Sequence, residues 1–269
     1  ETQFKTKQPN EIVYEFKKFA DYYNETLNAR SKEIYSLRYL PDKVFWKSVL
    51  TTAKKENFKE FDQLCKELRK LYYSYWIAGF TTAKTRDLSL NLVKLIKERK
   101  SVTVIREQIN RKMKGDNVLD NVGRNLEEDV YENSWLKPLL ILIEYGQTDE
   151  SVFIEYSRKL HVDHILPEKW EAMDYWKERW AKEDTSRWLN RLGNVTLLSG
   201  RKNIKASNNE FPKKKKIYKG KGLDGTTGFE ISKRILDERE WTVEEVKERQ
   251  SWLIKEVGRI LDIKLSESS

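Results

Sequence analysis

The sequence predicts a mainly α chain of the α+β kind: a helical domain, an embedded strand–strand–helix unit and a C-terminal helix. Three observations predict it. Apolar residues recur at helical spacing through most of the 269 residues. Two short runs rich in branched residues, 160–166 and 195–198, interrupt that period. A turn signal, Gly193-Asn194, stands directly before the second run. The expected division is a helical domain over 1–150 and the strand–strand–helix unit over 151–222, with a helical insert at 168–189. A loop and helix over 223–269 are expected to pack on the core.

The elements follow in order. Asn10 reads as the cap of a first helix with Ile12, Phe16, Phe19, Ala20, Tyr23 and Leu27 on its apolar stripe. Phe58, Phe61, Leu64, Cys65, Leu68, Leu71, Tyr72 and Trp76 make a second, stronger stripe. Further helices are expected at about 87–99 and 102–114. Trp135–Tyr145 is nearly all apolar, with Ser134 before it, Pro138 in its first turn and Gly146 after it, which predicts a short buried helix. Leu160–Leu166 reads as a strand stopped by Pro167. Trp170, Met173, Trp176 and Trp180 recur at helical spacing, and core packing is expected of them rather than base stacking. Ser199 can cap a short helix that carries Asn203. Gly220, Gly222, Gly225 and Gly228 mark a loop, and Thr242-Val243-Glu244-Glu245 is a capping box opening a helix with Val246, Leu253, Val257 and Ile260 on one face.

Composition narrows the function. Hydrophobic residues are 38 % and charged residues 35 %, so a real core sits under a heavily charged surface. A single cysteine, Cys65, excludes an intramolecular disulfide and a cysteine-based zinc cluster, and fits a reducing, cytoplasmic setting. No run is long enough for a membrane span, and no signal peptide is visible. The chain starts with Glu1 rather than Met, which reads as a piece of a longer protein or a processed chain. Net charge is +9. The window Arg201–Lys221 holds nine basic residues and one acid, Glu210, so it carries +8 of that charge. A local basic block calls for a local anionic partner, and a polyphosphate backbone is the commonest.

The two histidines of the chain both lie in His161-Val162-Asp163-His164. Alone, an Asp-His pair is weak evidence. Here it ends a strand, Asn194 opens the next, Asn203 sits on a short helix, and the basic block follows. Asp-His-Ile-Leu-Pro at 163–167, Asn-Arg-Leu-Gly-Asn-Val-Thr-Leu-Leu-Ser at 190–199, then Asn203, Ser207-Asn208, Phe211 and Lys214, closely resemble the C-terminal nuclease module of GmrSD-type modification-dependent restriction enzymes. SspE-type phage-defence nucleases share that module, which belongs to the HNH, or ββα-metal, superfamily. The resemblance spans about 150–222, and the stretch Leu71–Lys84 is similar to the helical region that precedes the module in such proteins. It implies a DNA endonuclease, cutting or nicking, in restriction or phage defence, acting on DNA that includes modified phage DNA. It also implies an upstream nucleotide-binding sensor domain or subunit, for which this chain has no Walker-type loop.

Chemistry assigns the roles. A neutral imidazole can take a proton from water at neutral pH, the part expected of His164. Asp163 and the amide oxygen of Asn203 are oxygen donors for a hard divalent ion, Mg²⁺ or Mn²⁺ rather than Zn²⁺. Asn208 competes with Asn203 as ligand. The resemblance implies that Asn194 belongs to the catalytic set by holding the His164 loop, not by binding metal. His161 is expected to pack or to support the ligands from behind. Arg201, Lys202, Lys205, Lys213, Lys214, Lys215 and Lys216 are candidate DNA contacts, with Lys214 at the position that matches the family. Strand alternation would separate Asp163 from His164, so a break or bulge is expected there. Two other readings stay open: a non-catalytic nucleic-acid-binding or partner-docking helical module, and a nuclease of this type acting on RNA or single strands.

Overall fold

In the computed structural model, which describes residues 7–41, 44–149, 152–154, 159–220 and 228–265, the chain is mainly helical with one two-stranded sheet. Close packing divides it into Glu1–Val118 and Leu119–Ser269. The first unit contains α1 (Pro9–Asn28), α2 (Lys32–Leu37), α3 (Val44–Lys55), α4 (Phe61–Ile77), α5 (Ala83–Lys97) and α6 (Val102–Gly115). Its centre is the predicted stripe of α4, where Leu64, Cys65, Leu68 and Leu71 are buried and the helix packs on α2 and α6. Burial pushes the Cys65 thiol well up, as befits a small core residue. The first helix starts earlier than expected. Its cap is Gln8, not Asn10, because Pro9 suits the first helical position and Glu11 accepts the Gln8 N–H at 3.0 Å. On α1, Phe16 and Phe19 are exposed, so that stripe is only partly covered.

The second unit follows from α7 (Val118–Glu127) and α8 (Leu136–Gln147). Both were expected within a helical domain ending at 150, yet α8 packs with the elements of the second unit. Strand β1 (Leu160–His164) and strand β2 (Val195–Ser199) pair antiparallel, from Leu160 opposite Ser199 to His164 opposite Val195. The first strand is shorter than the expected 160–166. The expected bulge is not there: pairing stays in register through His164, and Ile165 N–H reaches Asn194 O at 2.9 Å. Between the strands the insert is a set of short pieces rather than one helix: a 3₁₀ turn at Trp170–Ala172, α9 (Asp174–Lys177) and α10 (Lys182–Trp188). Trp176 and Trp180 are buried in one cluster with Phe211, Tyr218 and Trp241, as core packing demands.

Helix α11 (Gly200–Ala206) leaves directly from β2; Ser199 stands at its cap position, but its side chain makes no cap bond. The lysine run then forms a helix, α12 (Phe211–Lys219). Its buried positions are Phe211, Lys214 and Tyr218, one helical face that contains a lysine. Gly220 ends it, while Lys221, Gly222 and Gly225 lie outside the described residues. Helix α13 (Glu230–Lys233) is capped by the buried carboxylate of Glu144, which accepts the N–H groups of Glu230 and Ile231 at 2.8 and 3.0 Å. Helix α14 (Val243–Leu261) starts at the Thr242–Glu245 capping box, as the sequence predicts, and packs on α8 and the turn before β2. That turn requires glycine: a Cβ on Gly193 would stand 2.2 Å from Val246 O. Among the described residues no helix is long and apolar enough to cross a membrane.

Candidate active site

The hairpin and α11 enclose an open cleft of about 350 Å³. Asp163 and His164 from the end of β1, Pro167 and Glu168 beyond it, and Asn203, Ser207 and Asn208 from α11 and its exit line this cleft. Tyr131, from the segment between α7 and α8, closes one side. The two neighbouring strand residues therefore reach one space without a bulge, because the strand ends at them.

His164 is 5 % exposed and held from three directions. Its Nε2 lies 3.1 Å from Asn190 Oδ1. The Tyr131 ring stacks on the imidazole, with centroids 3.8 Å apart and planes at 33°. Nδ1 lies 3.8 Å from a carboxylate oxygen of the exposed Glu168. Burial lowers the His164 pKa; the Asn190 bond, Glu168 and Asp163 oppose it. With Asn190 Oδ1 as the acceptor, as the amide is placed, Nε2 carries the proton and Nδ1 keeps its lone pair.

Asp163 is buried beside two donors. Tyr218 O–H donates to its Oδ2 at 2.7 Å, and Lys214 Nζ lies 3.4 Å from the same oxygen. Both contacts fall on Oδ2, and Oδ1 is not among the sealed, unpartnered atoms of the described residues. Lys214 also donates to His164 O, so one ammonium ties the carboxylate to the backbone beside the histidine. Burial raises the Asp163 pKa, with Lys214 and Tyr218 pulling it back down. Burial likewise lowers Lys214 and lifts Tyr218 well above the ordinary phenol value.

Asn194 is wholly buried and acts as a clasp. Its Oδ1 accepts Leu166 N–H at 2.8 Å and Trp241 Nε1–H at 3.0 Å. Its amide donates to Leu166 O at 3.1 Å and Leu189 O at 2.8 Å. The segment leaving His164 is thereby fixed to the start of β2. Beneath it, Arg249 from α14 is buried and donates to Gly193 O at 3.0 Å and Val195 O at 2.7 Å. Burial lowers its pKa to about 9, so it stays charged at neutral pH. Ser207 sits at φ 37°, a strained left-handed value that turns the chain at the cleft rim.

The expected residues divide. Asp163, His164, Asn203 and Asn208 share the cleft. His161 is exposed on β1 and packs near Gly200, whose Cβ would meet its Nε2 at 3.1 Å. Of the basic candidates, Arg201, Lys205, Lys213 and Lys216 are exposed and Lys215 is half-buried. Lys202 and Lys214 are buried: the first donates to Tyr218 O at 2.9 Å, the second serves Asp163. Four residues with a part here were missed. Asn190 stood in the quoted Asn-Arg-Leu-Gly-Asn run, Glu168 follows Pro167, and Tyr218 keeps helical spacing with Phe211 and Lys214. Tyr131 lies in a charged stretch with no signal at all.

No group of three or more His, Cys, Asp or Glu is arranged to hold an ion among the described residues. The oxygen donors that line the cleft are the carboxylates of Asp163 and Glu168, the amide oxygens of Asn203 and Asn208 and the Ser207 hydroxyl. That sparse oxygen set fits a hard ion that keeps several waters and takes phosphate oxygens from its substrate. A carboxyl held high by burial would gain from a further cation at Oδ1. Among curated proteins no sequence matches this chain. One family model does, over residues 107–256, and its description is GmrSD restriction endonucleases, C-terminal domain.

Proposed function

The chain belongs to the family of GmrSD restriction endonuclease C-terminal domains, and from that premise we propose that it is a divalent-metal-dependent, HNH-type DNA endonuclease module. The observation that carries the reading is the pairing of a buried imidazole, its Nε2 engaged by Asn190, with a carboxylate in the same open cleft. A binding module has no need of a base beside a carboxylate.

His164 Nδ1 takes a proton from a water in the cleft, and the water oxygen bonds to phosphorus. The bond from phosphorus to the 3′ oxygen breaks and that oxygen takes a proton from solvent water, leaving 5′-phosphate and 3′-hydroxyl ends. Asn190 keeps the proton on Nε2, Tyr131 holds the ring plane, and Asn194 fixes the segment behind it. Asp163, with Asn203 or Asn208, would hold Mg²⁺ or Mn²⁺, which when bound supplies Lewis-acid help to the phosphate and the leaving oxygen. Lys214 and Tyr218 orient Asp163 from the rear. A restriction or phage-defence role belongs to the same reading, with a nucleotide-binding sensor supplied by another domain or subunit.

The test is plasmid cutting. With Mg²⁺ the protein is expected to convert supercoiled DNA to open circles and then linear product. His164→Ala should slow this by about 10²–10⁴-fold, the usual worth of a general base. Full cutting by that variant would sink the reading. Matched duplex, single-stranded and RNA substrates decide the polymer, and binding without cleavage under every divalent ion would return the chain to a binding module.

A further inference from the structure

Helix α11 has its polarity inverted. Lys202 is buried and donates to Tyr218 O at 2.9 Å, while Ile204 is 78 % exposed, more than any other large hydrophobic among the described residues. The packing of α11 on α12 accounts for the inner side. At about 100° per residue, Lys202 and Ala206, the buried pair of the helix, lie roughly 160° from Ile204. The outer side belongs to the cleft: Ile204 lines the same opening as Asp163, His164 and Asn203. Around the helix, Asn203 stands ~100° to one side of Ile204, with Arg201 ~60° and Lys205 ~100° to the other. Both cations are exposed. Single exposed apolar residues are common on protein surfaces. This one differs by its seat, on the cleft wall between an amide and two cations.

We propose that Ile204 is a wedge: it enters a duplex beside the phosphodiester held in the cleft and partly unstacks one base-pair step, so that cutting favours steps that open easily. The proposal rests on the nuclease reading of the same cleft. An isoleucine side chain has no hydrogen-bonding atom, so it neither grips phosphate nor reads the polar edges of bases. The large apolar surface a duplex can offer it is the pair of base faces that unstacking uncovers. Its branched Cβ leaves little rotamer freedom to lose on insertion. Arg201 and Lys205 stand where they can hold the phosphates flanking the opened step. A protein partner seated on Ile204 would instead cover the opening that substrate must enter. Selectivity then follows from deformability, because the pyrimidine–purine steps TA and CA/TG are the easiest to unstack.

The test has one readout without cutting and one with it. In EDTA, the protein is added to a short duplex whose single pyrimidine–purine step is a central TA carrying 2-aminopurine, a base that brightens when it loses its stacked neighbour. The wild-type chain is expected to raise the fluorescence at saturation, Ile204→Met to keep most of the rise and Ile204→Ser to lose it. With Mg²⁺, Ile204→Ser should lower kcat/KM on the matched duplex by about tenfold, the worth of one buried apolar side chain. Its cut sites should no longer favour pyrimidine–purine steps. On a duplex with a mismatch at that step, already unstacked, the loss should be much smaller. Because Ile204 is exposed, Ile204→Ser should melt as the wild type does. Wild-type cutting that Ile204→Ser leaves unchanged in rate and in site preference overturns the wedge and leaves the nuclease reading standing. Equal losses on matched and mismatched duplexes, with no brightening by the wild type, overturn unstacking and reduce Ile204 to a groove contact such as a thymine methyl. A wild-type chain that neither binds nor cuts any duplex overturns this proposal and the nuclease reading together.

Discussion

His164 is useful only if its two ring nitrogens do different work. The 3.1 Å contact to Asn190 Oδ1 separates them. Asn190→Ala is expected to cut turnover by roughly tenfold or more, because Nδ1 and Nε2 then compete for the proton; Asn190→Asp should retain more activity than Asn190→Ala. Steady-state cleavage with Mg²⁺ fixed reads this. The pH profile follows from burial, which lowers the His164 pKa. The neutral, proton-accepting form then persists below the ordinary imidazole value of ~6.5. Cleavage should rise with pH along an acid limb whose midpoint lies below that value, and fall away as His164 is protonated. The same shift makes the folded state bind fewer protons than the unfolded one. This contribution to stability is present above the unfolded pKa and is lost as pH falls through the folded one. Lys214→Met probes the carboxylate. It leaves Asp163 buried beside one donor instead of two and strips His164 O of its partner. Breaking a buried pair this way costs about 3–5 kcal/mol, which chemical denaturation would register. An unaltered midpoint would mean that Lys214 carries no such load.

At the scale of elements, the hairpin and the short helix after it were legible, because runs of branched residues, a Gly-Asn turn and a residue before the helix at cap position are all local signals. The insert was less so. Trp170, Met173, Trp176 and Trp180 keep helical spacing, yet α9 is four residues long; the tryptophans are placed by the shared cluster, not by a continuous helix. Helix α12 was illegible as a helix with a buried face, since a lysine at a core position reads as solvent. Its distant partners, Asp163 and the His164 carbonyl, 51 and 50 residues earlier, make its burial tolerable, and no local pattern reports partners so far away. Of the break or bulge expected at Asp163, the bulge was unnecessary: the strand ends at His164, and both residues border the cleft. The tight element is the turn before β2. Gly193→Ala drives a methyl against the backbone of α14 at 2.2 Å, where neither side can yield cheaply. A loss of about 3 kcal/mol is expected, seen as a lowered melting temperature, whereas Gly123→Ala, with nothing within 4 Å, should be neutral or mildly stabilising.

For the whole molecule, the sequence brought together the residues of the cleft better than it divided the packing units. The helical signal ran on past 118, so nothing in periodicity alone could show that α8 packs with the sheet rather than with the helices before it. Trp241 shows how far the second unit's core and cleft are one object. It is buried among Phe211 and Val246, yet its Nε1–H holds the Asn194 clasp at 3.0 Å. Trp241→Ala is expected to cost about 3–5 kcal/mol and to loosen the His164 segment as well. Trp241→Phe keeps most of the volume, so activity lost by it beyond its stability loss would report the missing indole bond. The lysine run carries a further consequence, for heredity. Lys213 to Lys216 are four identical letters, and removing any one codon gives the same shortened protein. Charge barely changes, but everything after the deletion turns by about 100° about the axis of α12 relative to Phe211. A lysine still stands three residues after Phe211, but the tyrosine falls one residue short and swings off Asp163. A replication slip within that tract would thus strip Asp163 of its phenol partner, although substituting the exposed Lys213 should be borne with little effect.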